Sequence, residues 1–210
     1  MEKIVVLGSG GHAKSVIDTI QAEGKYKIAG IISQDEHNIH EYPVLGSDEI
    51  LEKIYSAGIH KAAMGIGFMG NGELRERLYF KLKQIGFDFP TIIDPSACLA
   101  KHLEIGEGTF IGKKAVVNTE SRIGVLSIIN TAAIVEHECE IGDYTHVAVS
   151  ANLCGNVCVG NSCFIGANAT VIQGLTIANH VTVGAGSVVV RDINLQGIYI
   201  GAPARRTTNE

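Results

Sequence analysis

The sequence predicts two units, a small Rossmann-like α/β unit over residues 1–92 and a parallel β-helix of hexapeptide repeats over 93–210. Two observations carry the second unit. From Ile105 every sixth residue is aliphatic through Ile111, Val117, Ile123, Ile129, Val135, Ile141, Val147, Leu153, Val159, Ile165, Val171, Ile177, Val183 and Val189. The position four after each mark is mostly small, as at Thr109, Ala115, Ser121, Ser127, Ala133, Cys139, Thr145, Ala151, Cys163, Ala169 and Ser187. Neither an α-helix nor a simple strand has a period of six, but a coil of three short strands and three corners does. The third observation is the strand–helix alternation before residue 92, which predicts a parallel sheet.

Within the solenoid each mark is expected to stack on the mark eighteen residues later, with coils about 4.8 Å apart. A narrow prism holds one large inward side chain per hexad, hence the small residue at i+4. Gly follows the mark at positions 106, 112, 124, 142, 160, 166 and 184, and is expected to relieve crowding next to the corner. Stepping backwards adds Leu99 and Ile93.

In the first unit, Ile4–Leu7 reads as a buried strand, Gly8–His12 as a tight loop, and Ala13–Gln21 as a helix with Val16, Ile17 and Ile20 inward. Tyr26–Ile32 is a second strand and Leu45–Gly46 ends a short segment. Asp48 is the expected N-cap of a helix over Glu49–Tyr55. Ala62–Ile66 is a third strand, and a helix from Gly72 to Gln84 turns Leu74, Leu78 and Leu82 inward. Pro90 and Pro95 stiffen the junction to the solenoid, and residues after Val189 form a C-terminal tail.

A net charge of −5 argues against nucleic-acid and anionic-membrane surfaces, which need a basic face. Met1-Glu2-Lys3 leads into only four apolar residues, so no signal peptide is expected. No apolar run approaches the ~20 residues of a membrane span, and a cytoplasmic protein is expected. Cys139 and Cys163 occupy inward i+4 slots, and Cys154 and Cys158 lack zinc-ligand spacing. These four are read as reduced, buried space-fillers, with no metal.

The loop around Gly8-Ser9-Gly10-Gly11 follows a strand and opens a helix, where backbone N–H groups receive a phosphate. It is compressed relative to the dinucleotide fingerprint, and Ser33-Gln34-Asp35-Glu36 only loosely supplies a ribose-binding acid. A sugar nucleotide suits so small a domain better than NAD. A glycine turn needed only for packing is the alternative.

The repeat is broken at Val135-Glu136-His137-Glu138-Cys139, where Glu136 takes the glycine slot. An imidazole beside a carboxylate is the arrangement of a general base. His146 lies nine residues on, half an eighteen-residue coil, hence on a different side of the prism. The two meet only if prisms associate about a threefold axis. His37, His40 and His60 lie in polar loops, and His102 and His180 have no nearby acid.

The whole chain resembles the left-handed β-helix acyltransferases of the NeuD-type sialic acid O-acetyltransferase family and the related UDP-4-amino-sugar and perosamine N-acetyltransferases. The matching stretches are Gly8–Lys14, Ile92–Ala97, Asn130–Gly142, Cys154–Val157 and Gly201–Ala204. The resemblance implies a left-handed helix, acetyl-CoA as co-substrate, no metal, and a homotrimer. It implies His137 as base, Glu138 raising its basicity, and the Gly155 N–H as oxyanion donor. By the same resemblance His146, Ala167 and Ala185 contact acetyl-CoA, while Gly10, Gly11, His12 and Gly67 hold the sugar nucleotide. Ser33-Gln34 stands where the UDP-sugar enzymes tend to carry an Asp-Asp pair, which leaves sialic acid, CMP-sialic acid and GDP-sugar acceptors open.

Three other classes compete. A carbonic anhydrase on this prism would carry a His-x4-His pair, which is absent. A sugar nucleotidyltransferase would need a larger N-terminal domain. A non-catalytic sugar-nucleotide-binding or scaffold protein is the alternative that substitution of His137 separates.

Overall fold

The computed structural model describes residues 1–35, 38–70 and 72–207. The chain forms two compact units, one of residues 1–67 with 72–95 and one of 68–71 with 96–210. The boundary therefore falls after Pro95 rather than Ile92, and the short segment at 68–71 groups with the solenoid.

In the first unit four parallel strands lie in the order β3-β2-β1-β4: β1 (Glu2–Leu7), β2 (Tyr26–Ile32), β3 (Val44–Gly46) and β4 (Lys61–Met64). Ile4, Val5, Val6 and Leu7 are buried, as a central parallel strand covered on both faces requires. Helix α1 (Gly11–Glu23) starts two residues before the expected point, packs through Ala13, Val16, Ile17 and Ile20, and ends at Gly24 with φ 66°. The left-handed conformation there is cheap only for glycine.

Two expectations in this unit are corrected. Asp48 does not cap a helix: Ser47 precedes a 3-10 turn (Asp48–Ile50) leading into α2 (Leu51–Ser56), and neither start has a side-chain cap. The Asp48 carboxylate instead accepts from Lys81 Nζ at 2.8 Å, which holds its pKa below the ordinary value. In α3 (Glu73–Ile85) Leu78, Leu82, Tyr79 and Arg75 are buried but Leu74 is exposed. Leu74 sits in the first turn, one residue into the helix, where fewer neighbours cover it.

The second unit stacks short strands, most of two residues, into three sheets that are parallel up to the C-terminal pair. The first face holds Glu104–Ile105, Arg122–Ile123, Glu140–Ile141, Cys158–Val159 and Thr176–Ile177, each paired with the next at a register of eighteen. The second runs from Phe110–Ile111 through Ile128–Ile129, His146–Val147 and Phe164–Ile165 to Thr182–Val183. The third runs from Cys98–Leu99 through Val116–Val117, Ile134–Val135, Asn152–Leu153 and Thr170–Val171 to Val188–Val189. The marks from Ile111 to Val189 are buried, while Ile105, Leu99 and Ile93 are half-buried at the start of the stack. The small i+4 residues point inward as expected, and the polar ones also bond. Thr109, Ser127 and Thr145 donate to the carbonyls of Gly124, Gly142 and Gly160 at 2.7–2.9 Å.

The corners repeat one backbone geometry. The left-handed residue is the one three after the mark, with φ of 51–61° at Lys114, Glu120, Leu126, Ala132, Glu138 and every equivalent non-glycine position to His180. The glycines one after the mark relieve the crowding between stacked corners, as expected. A Cβ on Gly142 would stand 2.4 Å from Asn161 Oδ1 and 2.6 Å from the Gly160 carbonyl carbon. Past Val189 the register shortens to sixteen, with Val183 opposite Tyr199, and Arg205–Arg206 pairs antiparallel to Tyr199–Ile200. Among the described residues no helix is long and apolar enough to cross a membrane.

Candidate active site

His137 stands two residues after mark Val135, on the corner between the third and first faces, with Glu138 in the left-handed position beside it (φ 60°). That backbone turns two consecutive side chains to the same side, and His137 Nδ1 lies 2.9 Å from Glu138 Oε2. A carboxylate only accepts, so Nδ1 carries the proton and Nε2 presents its lone pair. Both side chains are more than half exposed (54% and 57%).

One coil on, Gly155 occupies the equivalent corner position. A Cβ there would stand 2.5 Å from both Cε1 and Nε2 of His137, so the imidazole occupies the space that any other residue would fill. Here the glycine is a requirement of the ring above it. Glu136, in a slot otherwise favouring glycine, accepts from Asn118 Nδ2 at 2.9 Å and from the His137 N–H at 3.3 Å. Its carbonyl accepts from Ser121 Oγ at 2.8 Å. The corner that carries the imidazole is thereby tied to the preceding coil by side chains as well as by its backbone.

His146 lies elsewhere, on a strand of the second face. It is 8% exposed, with Nδ1 2.9 Å from the Phe68 carbonyl and Nε2 3.1 Å from Asn130 Nδ2. A carbonyl accepts and an amide NH2 donates, so the ring is the neutral Nδ1-protonated form. Phe68 and Phe164 flank it at 5.7 and 5.2 Å. Ala167 and Ala185 follow Ile165 and Val183 on the corner between the second and third faces. Within one chain, then, His137, Glu138 and Gly155 come together, whereas His146, Ala167 and Ala185 do not join them.

Of the thiols, Cys139 and Cys163 are buried and donate to the Cys154 and Ala178 carbonyls at 3.2 and 3.1 Å. Burial pushes both pKa values up to about 11, so neither supplies a thiolate near neutral pH. Cys154 and Cys158 are half-buried, not fully buried as expected, and Cys98 is exposed. Among the described residues no group of three or more His, Cys, Asp or Glu side chains converges as metal ligands would.

The first unit carries its own cavity of about 420 Å³ beyond the carboxyl ends of β1, β2 and β4, where parallel sheets bind ligands. Gly8, Ser9, Ser33, Asp35, Asp48 and Arg77 are among its lining residues. Of the opening loop it is Gly8 and Ser9 that face it. Gly10 caps α1, Gly11 begins the helix, and His12 packs against Gly67, whose Cβ would stand 3.2 Å from the His12 Cβ. Ser9 Oγ donates to Asp35 Oδ2 at 2.8 Å and lies 2.8 Å from Ser33 Oγ, so the segment after β2 does bring an acid to the cavity. Glu36 and His37 lie outside the described residues.

Residues 3–82 match the family model described as the PglD N-terminal domain. The chain is 34% identical over 121 residues to UDP-N-acetylbacillosamine N-acetyltransferase of Bacillus subtilis, a match covering 53% of this chain and about half (51%) of that relative. PerB from Caulobacter crescentus, solved with CoA and GDP-perosamine, superposes with a TM-score of 0.94 at 36% identity, over 99% of this chain and 98% of that one. The acetyltransferase domain of PglB from Neisseria gonorrhoeae, solved with acetyl coenzyme A, gives 0.91 at 31% identity, over 98% and 99%.

Proposed function

We propose a reaction for this chain, which belongs to the family of UDP-4-amino-sugar and perosamine N-acetyltransferases: transfer of acetyl from acetyl-CoA to the amino group of a nucleotide-linked sugar. The observation that carries the reading is the His137–Glu138 pair seated over Gly155. His137 Nε2 takes the proton from the attacking amine as its nitrogen bonds to the thioester carbonyl carbon. Glu138 holds the tautomer and offsets the positive charge on the ring. The carbonyl oxygen becomes an oxyanion beside the Gly155 N–H. Collapse breaks the C–S bond, and the departing thiolate receives the proton from His137.

The sugar nucleotide is assigned to the cavity of the first unit, with Asp35 and Ser9 as polar contacts. N-acetylation is favoured over O-acetylation because the UDP-N-acetylbacillosamine and GDP-perosamine enzymes among the relatives are N-acetyltransferases. We assign a homotrimer because Ala167 and Ala185 stand on a different corner from His137. A donor touching both sets in a cleft between prisms would draw them from two chains, and His146 would reach the donor only from its cage of Phe68 and Phe164. A cytoplasmic location is part of this reading, and the need for acetyl-CoA as donor supports it.

The test is thiol release from acetyl-CoA against UDP- and GDP-linked 4-amino sugars, free sialic acid and CMP-sialic acid. Turnover confined to amino sugars is expected. Turnover confined to sialic acids would replace the N-acetyltransferase reading with an O-acetyltransferase, and no thiol release with any acceptor would leave a binding protein.

A further inference from the structure

We propose that Phe68 is a positioning residue for the transfer: it fixes the tautomer of His146 and, through that ring, the Asn130 amide. The proposal rests on the reading above that His146 meets the donor. Within the second unit, residues 68–71 lie as a strap along the second face, where His146, Phe164 and Thr182 follow one another coil by coil. The Phe68 ring is 7% exposed and stands 5.7 and 6.4 Å from the His146 and Phe164 rings. Met69, next along, is 84% exposed. Gly70 turns back to the face: at φ 103° a Cβ there would stand 3.2 Å from Thr182 Oγ1. An apolar ring seated among rings therefore anchors the strap and delivers its main-chain carbonyl to the imidazole.

The hydrogen bonds leave no choice of proton. The Thr131 N–H donates to Asn130 Oδ1 at 2.8 Å, so the end of that amide facing the ring is its NH2. An NH2 donates, so His146 Nε2, 3.1 Å away, accepts and carries no proton. Nδ1 then carries it, and the Phe68 carbonyl at 2.9 Å is the acceptor it needs. Carbonyl, imidazole and amide form one relay. Asn130 is its half-buried outer end, on the corner that also carries Ala167 and Ala185. With the strap displaced, a buried N–H loses its acceptor. The ring is then free to carry its proton on Nε2, against the Asn130 NH2.

The experiment reads the His146 ring nitrogens by NMR, with isotope-labelled histidine, in the parent, Phe68→Ala and Phe68→Leu, and His146→Phe identifies the signal. The parent is expected to show one protonated and one bare nitrogen, and Phe68→Ala the averaged shifts of mixed tautomers. Phe68→Leu, whose side chain still anchors the strap, should keep the parental pattern. Kinetics with acetyl-CoA and a nucleotide-linked 4-amino sugar supply the second reading. Phe68→Ala should raise KM for acetyl-CoA about ten-fold, the worth of one hydrogen bond, and Phe68→Leu should stay near the parent. In the His146→Phe background the same alanine substitution should change KM by no more than about two-fold, because Phe68 acts through that ring. Parental nitrogen shifts in Phe68→Ala, or a KM effect that persists in full without His146, would overturn the proposal. If the parent releases no thiol with any acceptor, the acetyltransferase reading fails, and the nitrogen shifts by themselves still decide whether Phe68 sets the tautomer.

Discussion

Gly155 shows how a residue without a side chain becomes a site residue. Its missing Cβ is the space of the His137 ring, with 2.5 Å between the two positions. Gly155→Ala should therefore fold, displace the imidazole, and lower kcat about a hundred-fold, since a shift of about 1 Å at a reacting group costs that much. Thiol release alongside a thermal melt checks both halves. At Cys139 and Cys163 the consequence is one of pH. Their pKa values are raised from 9.0 to about 11 by burial, so the folded form keeps both thiols neutral where the unfolded chain ionises. Their contribution to stability is complete below pH 9 and is lost as pH rises from 9 towards 11, visible as a falling melting temperature that Cys139→Ala with Cys163→Ala removes. The contact between His137 and Glu138 was legible because Glu-His-Glu interrupts a repeat. Asp35 was legible only as one of four polar residues, because which of them reaches the cavity depends on the fold of the loop after β2.

Among the elements, the corners between the first and second faces hold a ladder of side chains. Asp143, Asn161 and Asn179 each accept from a backbone N–H one coil earlier, at Val125, Asp143 and Asn161, over 2.7–2.9 Å. Asn161→Leu removes that acceptor from the Asp143 N–H at an exposed corner and should cost about 0.5–1.5 kcal/mol, whereas Asn161→Asp should stay close to the parent. Urea unfolding of the two variants measures the difference. Hexad strands and their inward residues could be read from sequence because one large and one small side chain per hexad must fill the prism. The left-handed corner position could not. It is held by Lys114, Leu126, Tyr144 and other ordinary residues, and the stacked hydrogen bonds on either side offset the roughly 1–2 kcal/mol each pays. In α3 the spacing of Leu74, Leu78 and Leu82 suggests one inner stripe, but Leu74 is exposed in the first turn and Tyr79 and Arg75 are buried.

Across the whole molecule, one unit presents a cavity at the ends of parallel strands and the other a histidine–carboxylate pair on a solenoid corner. Division of labour between them is testable in the two Michaelis constants. Asp35→Ala should raise KM for the nucleotide sugar about ten-fold and leave KM for acetyl-CoA unchanged, because the Asp35 carboxylate belongs to the first unit's cavity. The alternation of strands and helices gave away the first unit and the period of six the second. The assignment of residues 68–71 to the solenoid could not be anticipated, because the contact of the Phe68 carbonyl with His146 joins positions 78 apart in the chain. The central claim is that His137 is the base of an acetyl transfer. It is tested most directly by the rate of thiol release from acetyl-CoA with a nucleotide-linked 4-amino sugar in His137→Ala against the parent. A loss of about a hundred-fold or more, with CoA binding retained, is the predicted result. Release at the parental rate would contradict it.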